Sequence, residues 1–380
     1  MNKERASNYE LLRIVSMFFI VMYHTIHHGN VINNCLNEGL KVILEFIMLI
    51  LVVHVNSFVL VTGFFQSKSN FKQSKLWSII NANWFYKALI IIVFFILQIE
   101  PITKLDLFIN LFPLNLTEYW FINPYLILYC LSPFLNKLIN TLDKKTYQKL
   151  IIVLLIILSV FPYLTGNLIY QNDGFTLYNF VILYLIGAYL RIYPIKESYI
   201  FKRLSNNTFQ VLTIVIFFIC AFINTSFSRA ANTILGINSI FDFLASNIIS
   251  MTRAYSNPIV IIQSIAFFSF FGTLTIKSKF INKISKLTLG VYFIHDNYYI
   301  RRHIYKWIGL DGPLVISYKY IIYVFLATTL IYIGCSIIEW FRQLLFKGIS
   351  KLKIARKVRE KYYNYINNIY ITKEEKLIEN

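Results

Sequence analysis

Glu10, Arg13, His24, His27 and His28 lie in the first long apolar stretch of the chain, where a plain membrane anchor would need only apolar side chains. An ionised group at the centre of a membrane helix costs about 2.5–3.5 kcal/mol on insertion scales, so such residues face a bundle interior or water and mark a site. Arg13 and His24 are eleven residues apart, which is about 1100° of α-helix, or three turns plus about 20°. They share one stripe at depths roughly 16 Å apart and can line one cavity. A guanidinium there can hold phosphate oxygens bidentately, or it can pair with Glu10, three residues away on the same helix. A histidine whose ordinary pKa is about 6.5 keeps one nitrogen available as base or nucleophile near neutral pH, which suits acyl transfer. His24 has no acid three or four residues before it, so a purely structural role is harder to supply.

Other ionisable residues in apolar stretches are Glu45, His54, Lys87, His295, Asp296, Lys319 and Glu339. Glu45 and His54 are nine residues apart, about 900° on one continuous helix, and would face opposite sides of it. Lys87 can either snorkel its ammonium to an interface or contact a donor. His295-Asp296 interrupts an apolar run and reads as the polar mouth of a short helix or as a substrate contact. Lys319 and Glu339 read as interfacial anchors. Cys35, Cys130, Cys220 and Cys335 have no metal-ligand or disulfide spacing and read as small buried apolar residues.

These residues need helices to position them, and composition supplies helices of one kind. Of 380 residues, 57% are hydrophobic and 14% charged, with a mean hydropathy of +0.57, a polytopic membrane composition. Runs able to cross a roughly 30 Å hydrocarbon layer fall near 10–28, 40–65, 77–99, 119–136, 150–168, 175–192, 208–227, 258–276, 287–300 and 314–338. The expectation is an all-α protein of about ten spans. Short cytoplasmic loops carry excess lysine and arginine, and alternate loops here do so: Lys68, Lys72 and Lys75; Lys137, Lys144, Lys145 and Lys149; Lys277, Lys279, Lys283 and Lys286. Both termini are then cytoplasmic, and the net charge of +19 is mostly a topology signal. Nucleic-acid binding is not implied, because the cations are dispersed among loops instead of clustering on one soluble face. The first stretch is not expected to be a cleaved signal peptide, since Arg13 and His24 interrupt it and no small-residue cleavage site follows. Residues 1–345 read as one membrane domain and 346–380 as a basic cytoplasmic tail able to lie on anionic headgroups.

At these residues the chain resembles the acyltransferase-3 family, integral membrane enzymes that O-acylate cell-surface carbohydrates. The resemblance begins with Asn8-Tyr9-Glu10-Leu11-Leu12-Arg13 and, after ten intervening residues, His24. It continues through Val55-Asn56-Ser57-Phe58 and Thr62-Gly63-Phe64, then Trp120-Phe121-Ile122-Asn123-Pro124-Tyr125 with Leu131-Ser132-Pro133-Phe134, then Leu185-Ile186-Gly187-Ala188-Tyr189-Leu190-Arg191, and closes on Gly290-Val291-Tyr292-Phe293-Ile294-His295. It implies transfer of an acyl group, usually acetyl from acetyl-CoA, to a sugar hydroxyl of a cell-envelope polysaccharide or its lipid-linked precursor. It also implies a catalytic role for His24 and donor binding by Arg13. Lys87 is the one cation between Trp77 and Lys87, where many members carry paired arginines, so it is the expected second donor contact, with Lys68, Lys72 or Lys75 as substitutes. Asn56, Trp120, His295 and Asp296 are expected to contact substrate.

The expected protein is therefore a multi-pass O-acetyltransferase of a bacterial plasma membrane, with acyl-CoA, a glycan acceptor and the lipid bilayer as partners, no resident cofactor and no metal. His24 would act as general base or pass through an acyl-imidazole. A glycan or small-molecule transporter is the rival, since buried charges also line transport routes, but no inverted repeat supports it.

Overall fold

The structure, a computed structural model, describes residues 6–112, 118–162, 172–237, 239–310 and 315–349. Among them the chain is helical throughout, with no strand and a single isolated backbone bridge between Cys35 and Val315. The basic tail beyond residue 349 and part of the expected span 150–168 lie outside the described residues.

The helices are α1 (Ser7–His28), α2 (Glu38–Leu51), α3 (His54–Gln66), α4 (Gln73–Ile96), α5 (Lys104–Leu111), α6 (Ile122–Thr141), α7 (Lys144–Leu155), α8 (Leu177–Ile192), α9 (Asn206–Ile234), α10 (Ser239–Thr252), α11 (Pro258–Thr273), α12 (Lys279–Ile284), α13 (Thr288–His295), α14 (Tyr298–Trp307) and α15 (Lys319–Ile349). Many start on a side chain that satisfies orphan backbone N–H groups: Asn37 accepts from Leu40 N, Asp143 from Thr146 N, Ser205 from Thr208 N and Asn297 from Tyr299 N. α11 starts with Asn257 as cap and Pro258 in its first turn.

Among the described residues, five helical segments are long and apolar enough to cross a membrane: α1, α2 with α3, α4, α9 and α15. α8 and α11, of 16 residues each, are shorter apolar helices. Two expected spans are not single helices. Residues 40–65 turn at Val52 and Val53, which divide α2 from α3. Residues 287–300 divide at Asp296 and Asn297 into α13 and α14.

α1 is the central helix. It packs against α2, α3, α11, α13 and α15, and its buried residues serve two apolar cores. Met17, Ile20, Val21 and Ile26 join the core built from α2, α4, α13 and α15, whereas Leu12 joins the core of α3, α8 and α11. Glycines set the closest approach in the second core. A Cβ on Gly63 would lie 2.2 Å from the Tyr184 carbonyl oxygen, and one on Gly187 2.2 Å from the Leu60 carbonyl oxygen, so α3 and α8 meet backbone to backbone.

Some sequence expectations change in the fold. Glu339, read as an interfacial anchor, is buried within the protein: it accepts both guanidinium bonds of Arg342 at 2.7 Å, with further bonds from Tyr86 and Gln343. Gly290 makes room for it, since a Cβ there would strike the Glu339 carboxylate. A charge at this depth is held by satisfying it, which is why the glycine, the tyrosine and the arginine occur together. Cys35, Cys220 and Cys335 are buried, but Cys130 is exposed.

Candidate active site

A cavity of about 450 Å³ opens beside α1. Arg13 and His24 line it together, as helical phase requires. Lys75, at the start of α4, and Lys286, just before α13, join Arg13 along it. Lys75 lies in the first turn of α4, Lys286 in the turn that leads into α13, and Arg13 toward the N-terminal end of α1. That end is fixed by Ser7, whose hydroxyl accepts from Ser278 N at 3.0 Å before α12. His24, His54, Trp120 and Tyr255 line the same cavity, with His24 roughly 16 Å along α1 from Arg13. The cavity thus has cations at one end and imidazoles and aromatic rings at the other.

The hydrogen bonds assign the histidine tautomers. His295 Nδ1 lies 2.7 Å from the Val291 carbonyl oxygen. A carbonyl only accepts, so His295 carries its proton on Nδ1 and its Nε2 is an acceptor. That Nε2 is 3.1 Å from His24 Nδ1, so His24 Nδ1–H donates to it, with Asp296 Oδ1 at 3.5 Å on the same nitrogen. His24 Nε2 is left unprotonated, the state a general base needs. Asp296 is held in turn by the Arg301 guanidinium at 3.0 Å. The helix break at Asp296 and Asn297 brings these groups together, and it is braced by Tyr119, whose hydroxyl donates to the Phe293 carbonyl at 2.7 Å and accepts from Asn297 Nδ2 at 3.1 Å.

His54 is set by the same logic. Its Nδ1–H donates to the Leu51 carbonyl at 2.6 Å, across the α2–α3 break, and its Nε2 accepts from the Tyr255 hydroxyl at 3.1 Å. Tyr255 stacks on Trp120 with ring centroids 5.7 Å apart and planes 17° apart, forming an aromatic wall.

Arg13 also pairs with Glu10 at 2.8 Å. Both residues line the cavity, and that contact engages one of the guanidinium's five donors.

The other expected site residues stand elsewhere. His295 and Asp296 are buried behind His24 and do not line the cavity. Asn56 is fully buried and donates to the Tyr255 backbone carbonyl at 2.9 Å, fixing the residue that faces His54. Lys87 is 2% exposed, so it does not snorkel, and it meets Glu118 at 3.5 Å away from the cavity. Glu118 also accepts from Tyr298 N, so Lys87 supports the start of α14. Of the three lysines expected as substitutes, Lys75 lines the cavity and Lys68 and Lys72 do not. Lys286, Tyr255 and Arg301 carried no sequence signal of their own: a loop lysine, one of 27 tyrosines and a loop arginine.

His24, His28 and Asp296 bring ligand-capable atoms within 4.8 Å of one another. The nearer partners of His24 and Asp296 are His295 and Arg301, so the arrangement reads as a hydrogen-bonded relay.

No curated protein and no solved structure matches the chain. The acyltransferase domain of the acyltransferase-3 family matches residues 7–340, which contain every residue of this cavity and of the relay behind it. The chain belongs to the acyltransferase-3 family and is a membrane acyltransferase.

Proposed function

We propose that the protein moves an acetyl group from acetyl-CoA to a sugar hydroxyl of a cell-envelope polysaccharide or its lipid-linked precursor, at the plasma membrane of a bacterium. The carrying observation is one cavity with Arg13, Lys75 and Lys286 at one end and a base-ready imidazole, His24, at the other. Its volume of about 450 Å³ sits within the roughly 300–1,000 Å³ of small-molecule sites. The basic loops that include Lys75 and Lys286 belong on the cytoplasmic side by their charge, the side on which acyl-CoA is found. The donor's phosphates lie against the cations and its thioester reaches toward His24.

His24 Nε2 accepts the proton of the acceptor hydroxyl while that oxygen attacks the thioester carbonyl. The carbon–sulfur bond breaks, the O-acyl ester forms, and the proton passes from the imidazolium to the departing thiolate to give the CoA thiol. Asp296 and His295 face the Nδ1 side and stabilise the imidazolium during transfer, as a carboxylate does behind a catalytic histidine. They are therefore positioning residues, and Trp120 and Tyr255 form the wall against which the acyl group and the acceptor are oriented.

The test is the ester itself. NMR of surface glycans from cells with and without the protein should show O-acetyl signals in the first only; identical spectra would reject the reading.

A further inference from the structure

A second cavity, of about 260 Å³, lies against another face of α1 at its His27 end. It is lined by His27 and Asn33 from the end of α1 and the turn after it, by Lys41 and Glu45 of α2, by Ser228 of α9, and by Arg253 beyond α10. Its size, below the roughly 300–1,000 Å³ of drug-sized pockets, restricts an occupant to one small unit.

The lining chooses the chemistry of that unit. Ile26, Ile32, Met48 and Ile249 also line it, so an occupant meets aliphatic side chains on part of its surface and hydrogen bonds and charge on the rest, with no aromatic ring but the His27 imidazole. Its acid is already committed: Glu45 faces Arg229 at 3.4 Å, and the same guanidinium meets Glu38 at 3.5 Å. Lys41 has only a long 3.8 Å contact to the exposed Glu38, and Arg253 has no acidic partner within 4 Å among the described residues. Two cations therefore face an amide- and hydroxyl-bearing cavity without a matching anion. The cavity also adjoins the reactive end of α1, because the His27 ring is 5.0 Å from that of His28, which is 5.1 Å from that of His24.

Building on the acyltransferase reading, we propose that this cavity is an acceptor subsite for an acidic saccharide unit, whose carboxylate or phosphate is held by Arg253 and Lys41 while its hydroxyls meet the Asn and Ser side chains. The catalysed ester then forms on an anionic glycan.

The test is isothermal titration of the full-length protein in lipid nanodiscs with glucuronic acid, glucose 6-phosphate, glucose and glycerol 3-phosphate. At least one acidic sugar should bind and glucose should not; the tighter of the two acids tells carboxylate from phosphate. Arg253→Gln and, on α2, Lys41→Gln should each weaken that binding about tenfold or more, the loss expected for a hydrogen bond to a charged group. Binding of CoA should be unchanged in both. Lys41 is partly exposed, so its variant keeps the test decisive if Arg253→Gln fails to fold. Equal binding of glucose, indifference to both substitutions, displacement by CoA, or binding of glycerol 3-phosphate as tight as either acidic sugar would each overturn the proposal, the last by assigning the cavity to a phosphoglycerol headgroup. Loss of the subsite with acyl transfer intact would leave the enzyme reading standing, and the reverse result would remove that reading alone.

Discussion

At the scale of single residues, the contest over Arg13 turns on geometry. Its pair with Glu10 joins a guanidinium that is 29% exposed to a carboxylate that is 8% exposed, but it engages one of the five guanidinium donors, and four remain for a phosphate. Arg13→Lys should therefore raise the donor KM roughly tenfold, through loss of the planar fork, with little loss of folded protein. Glu10→Gln should be mild. An unchanged donor KM in Arg13→Lys, with reduced detergent-extracted yield of both variants, would return the pair to a structural role. Arg13 and His24 were legible in the sequence because ionisable groups are conspicuous in an apolar stretch. Asn56, singled out by the family resemblance alone, is polar without being ionisable, and its amide serves a backbone carbonyl. Polarity inside a span marks a residue that needs a partner, and the partner can be backbone as readily as substrate.

At the scale of elements, the helices were readable and their interruptions were not. Val52 and Val53 lie in a continuous apolar run with no Gly or Pro, so nothing local announces the turn that aims His54 Nδ1 at the Leu51 carbonyl. The turn also removes the premise that Glu45 and His54 ride one rigid helix. His295 and Asp296 did mark the second break, but their direction, toward His24 Nδ1, depends on how α13 docks on α1. The Thr62-Gly63-Phe64 and Leu185-Ile186-Gly187 segments acquire a physical reason from packing: each glycine lies under the other helix's backbone. Gly187→Val should force α3 and α8 apart and destabilise the protein by about 1–3 kcal/mol or more. Gly334 of α15 has nothing within 4 Å of a built Cβ, so Gly334→Ala should be neutral or slightly stabilising. Thermal unfolding in detergent separates the two, and equal behaviour of both variants would contradict the close-packing account.

At the scale of the whole molecule, charge and hydropathy gave the class, and long-range packing assembled the site. The cavity draws on α1, α3, α4, α6 with its preceding turn, α11's preceding turn and α13, with Glu10 and Tyr292 at its sequence extremes 282 positions apart, and no local pattern predicts which of their faces meet. α1 does most of the assembly: the Glu10–Arg13 end, the imidazole, and Ile26 and His27 of the second cavity's lining all lie on one helix. The account therefore stands or falls on His24, which is placed for chemistry and contributes little apolar packing. The most direct measurement is CoA release and O-acetyl transfer from acetyl-CoA by purified wild-type protein and by His24→Ala, matched for folded yield and for CoA binding. The account predicts that His24→Ala keeps CoA binding and loses transfer by about a hundredfold or more, the lower range for a general base. Transfer within a few-fold of wild type, at equal yield, would contradict it.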